Sequence, residues 1–156
     1  MNKEVSMEQK ITPNLWFDGN AKEAVEYYIS VFPDGKIVDI SYYPEEGLLE
    51  FQKNLAGKEL AIDFILNGQR FTAINAGPEF KFTEAISFSV SCKDQDEIDY
   101  YWEKLSAVPE SEQCGWCKDR YGLSWQVVPE SMAELMQQPD AFQHLMVMKK
   151  LVIADF

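Results

Sequence analysis

In 156 residues the sequence has one histidine, His144, and three cysteines, Cys92, Cys114 and Cys117. Two neighbouring thiols and one distant imidazole make an incomplete zinc site. An odd, small cysteine count fits a reducing compartment better than a disulfide scaffold. Cations are also scarce: 14 Lys and Arg stand against 26 Asp and Glu, a net charge of −12. A surface that grips phosphate backbones or anionic membranes needs the opposite sign, so no nucleic acid and no membrane partner is expected. No apolar run approaches the roughly 20 residues of a membrane helix. No two of the eight glycines stand two apart, which removes the GxG turn of a doubly wound nucleotide or methyl-donor site. A phosphate loop is missing as well. Met1–Gln9 is polar and lacks the apolar core of a secretory signal, so it reads as a flexible lead-in and the cytoplasm is the expected compartment.

What is present is a core. Hydrophobic residues make up 46% of the chain and aromatics 13%, enough to bury a single domain over residues 10–156. Ile11 to Phe17 alternates as a strand, with Ile11, Leu15 and Phe17 on one face and Thr12, Asn14 and Trp16 on the other. Asn20 with Glu23 resembles a capping box opening a helix that carries Ala24, Val25, Tyr28, Ile29 and Phe32. Strands follow over Lys36 to Tyr43, Leu60 to Leu66 and Arg70 to Ala76, the last two joined by Asn67-Gly68, a strong hairpin signal. The order then recurs: a strand over Ala85 to Cys92, a helix capped by Asp94 and Glu97, and strands over Gln113 to Asp119 and Leu123 to Val128. Ser131 with Glu134 caps a short helix, and Pro139 opens another. Leu151 to Phe156 is an apolar tail expected to pack on the body or on a partner.

The recurrence is an internal repeat. Tyr27-Tyr28 matches Tyr100-Tyr101 at an offset of 73, which also pairs Thr12 with Ala85 and Asn14 with Ser87. Gly68 to Ile74 matches Gly122 to Val128 at an offset of 54. The second half is therefore expected to have lost about one strand. The fold class expected is α+β: paired βαβββ modules over about 10–78 and 79–130, a mixed curved sheet, and extra C-terminal helices over 131–150. A cleft between the repeats is the expected ligand site. Sheet edges left by the shorter half favour a homodimer.

Ile11-Thr-Pro-Asn-Leu-Trp-Phe-Asp18, Phe71-Thr-Ala-Ile-Asn75 with Gly77-Pro78, Phe80 to Phe88, and Cys114-Gly-Trp-Cys-Lys-Asp-Arg-Tyr-Gly-Leu-Ser-Trp-Gln126 resemble the PhnB-like family. That family is part of the vicinal oxygen chelate superfamily, the glyoxalase and bleomycin-resistance group. Its members often carry the label 3-demethylubiquinone-9 3-methyltransferase. The resemblance implies the paired βαβββ fold and, in the superfamily's enzymes, a divalent metal held from the first and last strands of each module. Carried over, those positions are Thr12 and Thr72, then Ala85 and Gln126. Hydroxyls and a methyl group cannot replace imidazole and carboxylate, so no metal and no other cofactor is expected.

Cys114-Gly115-Trp116-Cys117 falls on a predicted strand, where a spacing of three points the side chains to opposite faces, so two ordinary thiols are expected. The expected function is binding of a small apolar or aromatic molecule, lined by Thr12, Asn14, Trp16, Thr72, Ser87, Trp116 and Gln126. The alternative is an enzyme of the superfamily, of lyase, dioxygenase or transferase type, with Asp63 or Glu84 as acid or base. The residues give the methyltransferase label no support.

Overall fold

The computed structural model describes residues 9–156, so all of the expected lead-in except Gln9 lies outside the described residues. The chain divides into two compact units, the first ending at Lys81 and the second running from Phe82 to Phe156. Each unit has its own sheet, in place of the one curved sheet expected.

The first unit contains β1 (Asn14–Asp18), α1 (Ala21–Val31), β2 (Lys36–Tyr42), a 3-10 turn (Glu50–Leu55), β3 (Glu59–Leu66) and β4 (Gln69–Ala76). Its strands lie in the order β1-β4-β3-β2. β1 and β4 are parallel, and the other pairs are antiparallel. A parallel pair needs a long crossover between its strands, and α1 starts that crossover. Strict alternation buries Leu15, Phe17, Ile62, Phe64, Leu66, Phe71 and Ala73 on one face. Against them α1 buries Ala24, Val25, Tyr28 and Val31. Phe64 stacks between Tyr28 and Phe71, with ring centroids 6.3 and 5.5 Å away. Burying each such side chain contributes about 1.5–3 kcal/mol. Asn67 and Gly68 both take positive φ, 48° and 77°, as the predicted two-residue hairpin requires.

Two expectations fail at the start of this unit. β1 begins at Asn14, three residues late, because Pro13 has no N–H for a ladder; Ile11 is 85% exposed. Asn20 makes no side-chain cap. Instead the buried Asn75 of β4 accepts from the Ala21 amide at 3.1 Å. One inward-facing amide thus fixes both the helix start and the strand end.

The second unit holds β5 (Ser87–Cys92), α2 (Gln95–Leu105), β6 (Trp116–Lys118), β7 (Ser124–Pro129), α3 (Met132–Leu135) and α4 (Ala141–Met146). Its order is β5-β7-β6, with β5 parallel to β7 and β6 antiparallel to it. Among the described residues nothing in it corresponds to β2, so the predicted loss of one strand is met. β5 starts two residues later than the expected strand over Ala85 to Cys92, and Ile86, left before it, is 68% exposed. Here the side-chain cap forms: Asp94 accepts from the Glu97 amide at 3.0 Å, while Glu97 accepts from the amide of Lys93, one residue before the cap, at 2.9 Å.

The expected strand over Gln113 to Asp119 is interrupted. Cys114 and Gly115 take φ of 53° and 87°, and Gln113 and Trp116 exchange backbone bonds of 3.1 and 2.8 Å across that turn. Ser131 makes no side-chain cap. Pro139 does not open α4, because Asp140 follows it at φ 61°. The apolar tail packs within its own unit, where Leu135, Ala141, Met148, Leu151 and Phe156 form one buried cluster. Among the described residues no helix is long and apolar enough to cross a membrane.

Candidate functional site

The face of the first sheet opposite α1 carries the residues that strand parity turns away from the core. Asn14, Thr72, Asp63 and Asp39 form one row across all four strands, each directly opposite the next. Thr72 donates from Oγ1 to Asp63 Oδ1 at 2.7 Å. Arg70 Nη2 lies 3.9 Å from Asp63 Oδ2. Asp63, Arg70 and Thr72, with Gln9 and Thr12, line a shallow cavity of about 450 Å³. Three sequence-predicted residues, Thr12, Asp63 and Thr72, are therefore neighbours. Asp63 is half-buried, with one oxygen on a hydroxyl and the other beside a guanidinium.

Trp16 lies on the same face of β1, toward its carboxyl end, and lines a separate cavity of about 470 Å³. Ile74 and Leu55 add apolar wall, while Asp18, Lys58 and Glu79 are charged. The indole is fixed twice. Its Nε1 donates to the Gly77 carbonyl at 2.9 Å, and the Phe80 ring meets it edge-on at 4.7 Å. Tyr43 also lines it, donating its hydroxyl to the Asn75 carbonyl at 2.6 Å. Burial raises the Tyr43 phenol above its ordinary range, and the negative Glu79 raises it further. A Cβ on Gly77 would come within 2.8 Å of Glu79 Oε1, so the absence of a side chain there is what lets the carboxylate fold back.

Sequence reading placed Trp16 at this cavity face but missed Tyr43, Asn75 and Glu79. Asn75 did leave a signal: it is a polar residue at the inward parity of β4, in line with Phe71 and Ala73. Its Oδ1 serves α1, and its Nδ2 donates to the Glu59 carbonyl at 2.9 Å. Nothing local marks Tyr43 or Glu79, which lie in loops and reach the cavity through tertiary placement.

In the second unit Gln126 donates to Ser87 Oγ at 2.9 Å, and Trp116 stands opposite Gln126 on β6. The pairing corrects the alignment of the repeats. Thr72 faces Asn14, whereas its counterpart Gln126 faces Ser89. The first strands therefore correspond at two residues beyond the expected offset, making Ser87 rather than Ala85 the counterpart of Thr12. The positions that would hold a superfamily metal are Thr12, Thr72, Ser87 and Gln126, three hydroxyls and an amide. That donor set does not fit a divalent ion. Among the described residues there is no group of three or more His, Cys, Asp or Glu able to hold one.

Glu84 is exposed and ion-paired with Lys118, whose hydrogen bond holds its carboxyl below the usual range. All three cysteines are free. Burial pushes Cys92 and Cys117 up to about 12, so both are unreactive thiols. Cys114 sits in the turn, where its amide and that of Gly115 donate to the Met148 and Lys149 carbonyls at 2.9 and 2.8 Å. Asp119, also missed, is fully buried and structural. It accepts from the Tyr121 and Leu123 amides and from Trp125 Nε1 at 2.8, 3.1 and 2.9 Å. An Asp followed three residues later by Gly is its turn signature in the sequence.

Residues 9–128 match the family model described as 3-demethylubiquinone-9 3-methyltransferase. Among solved structures, the PhnB protein of Bacillus cereus, which carries that same description, is 38% identical. The match spans 78% of this chain and 99% of that one, with a TM-score of 0.63. Protein PA1353 from Pseudomonas aeruginosa is 18% identical over 79% of this chain and 98% of that one, with a TM-score of 0.59, a likeness of fold. No curated protein matches.

Proposed function

The chain belongs to the 3-demethylubiquinone-9 3-methyltransferase family, within the vicinal oxygen chelate superfamily, and from that premise we propose that it binds a small apolar or aromatic molecule without a metal. The ligand lies against Trp16 in the cavity of about 470 Å³ on the open face of the first sheet. That cavity carries the reading. Its size suits a small organic molecule, and an indole locked by Gly77 and Phe80 gives a flat, preorganised surface to stack on. The four metal positions hold hydroxyls and an amide, which supports a metal-free site. The chain has no GxG turn for a methyl donor, so methyl transfer is not part of the proposal.

A thermal-shift screen of small metabolites, run with and without divalent metals, tests this. Stabilisation is expected from apolar or aromatic compounds, independent of metal and lost in Trp16→Ala. Stoichiometric zinc, nickel or manganese in the purified protein would overturn the metal-free reading.

One observation favours a second reading, an enzyme that uses Asp63 as its base. Asp63 lines a second cavity with Thr12, Arg70 and Thr72, open to a molecule bound there. Turnover of any screened compound that disappears in Asp63→Asn would favour it. A homodimer is also proposed. β2 is an edge strand with Val38 and Tyr42 44% and 57% exposed, a surface suited to pairing with a second copy. Gel filtration at the monomer mass of 18.0 kDa would remove this proposal.

A further inference from the structure

The walls of the Trp16 cavity also specify the charge of its ligand, an inference that rests on the binding reading above. Two donors of the lining, those of Trp16 and Tyr43, are already committed. The indole N–H donates to the Gly77 carbonyl, and the Tyr43 hydroxyl donates to the Asn75 carbonyl. What these groups still offer a ligand is the indole π face and a phenolic lone pair, both electron-rich. The Glu79 carboxylate is folded back over Gly77, beside the carbonyl that holds the indole. Among the described residues neither Glu79 nor Asp18 has an ion-pair partner, so their charges are not neutralised in place. Lys58 is the one cation of the lining and is exposed, as are Glu79 and Asp18, so the lining carries one net negative charge.

A carboxylate or phosphate entering this cavity would meet two carboxylates and find the indole and phenol protons already used. A cation would meet an aromatic face and two acceptors. Tryptophan is the best aromatic partner for a cation, and the attraction grows as the site sheds water. The protein's net charge of −12 adds a long-range field of the same sense, though salt screens it.

We propose that the cavity takes an organic cation: an ammonium or quaternary ammonium group on an apolar or aromatic body. The cationic head lies between Trp16 and the Glu79 carboxylate, and the body lies along Ile74 and Leu55. Gly77 is a positioning residue in this arrangement, because only an absent side chain leaves room for Glu79.

Three probes of similar size and different charge test the inference: benzyltrimethylammonium, 3-phenylpropan-1-ol and 3-phenylpropanoate. Their affinities are measured by calorimetry on the full chain, with circular dichroism melts to show that each variant is folded. The cation is expected to bind about tenfold more tightly than the alcohol, and the carboxylate weakest of the three. Glu79→Gln should cost the cation about three- to tenfold while leaving the alcohol unchanged. Gly77→Ala should act in the same direction, and Trp16→Phe should retain more cation affinity than Trp16→Ala. If the alcohol or the carboxylate binds as well as the cation, or if Glu79→Gln leaves their ratio unchanged, the charge assignment is wrong while the cavity reading stands. If none of the three binds and Trp16→Ala changes nothing, the cavity reading falls as well.

Discussion

Cys92 and Cys117 show most directly how environment decides what a side chain can do. Both are fully buried, and burial holds each thiol protonated up to about 12. In the unfolded chain the same thiols ionise near 9.0. Above that value the unfolded state binds fewer protons than the folded one, so stability falls as pH rises from about 9 toward 12 and is fully present below 9. Denaturant melts at pH 8, 9 and 10 should show that decline, and Cys92→Ala with Cys117→Ala should flatten it while lowering stability throughout. At this scale the sequence was partly legible. The place of Trp16 on the open face followed from strand parity. The roles of Asn75 and Asp119 did not, because a polar residue at an inward position shows only that a partner must exist, and not which amide it serves.

The two crossover helices make a matched pair of elements with different starts. α2 opens on Asp94, whose carboxylate caps the Glu97 amide, while Asn20 before α1 makes no such bond. Asp94→Ala should therefore cost about 1 kcal/mol, within the usual 0.5–2 for a working cap. Asn20→Ala should cost much less, because Asn75 supplies the acceptor at that helix end. Equilibrium denaturation of the two variants checks the contrast, and equal losses would count against this account of α1. Sequence signals for both caps were alike. They diverged because the helix end at Asn20 is served from another strand, which a local motif cannot reveal. Strands were read well where alternation ran without interruption, as in β3 and β4. They were misread where Pro13 or the Cys114-Gly115 turn ended a run that hydrophobicity alone would have continued.

For the chain as a whole, the family match ends at residue 128, yet the buried cluster of the second unit draws Leu135, Ala141, Met148, Leu151 and Phe156 from beyond it. The tail also accepts the Cys114 and Gly115 amides, and Gln95 holds it through Leu151 and Ile153. Ending the chain at residue 129 would strip that cover from Val128 and leave those amides without their acceptors. A fall in melting midpoint of more than about 10 °C is expected by calorimetry. A truncated chain that melts like the full one would show the tail to be dispensable. The unequal repeat was visible from spacing alone, but its rung-by-rung correspondence was not. The helices align at one offset, the hairpins at another, and the first strands two residues further on. A slip of two leaves every side chain on its original face, so the burial pattern is unchanged by it. In a duplicated sheet, hydrophobic alternation works as a ruler graduated only in twos. A residue grafted from one half to the other by spacing from the helix would keep its face and still stand opposite the wrong neighbour.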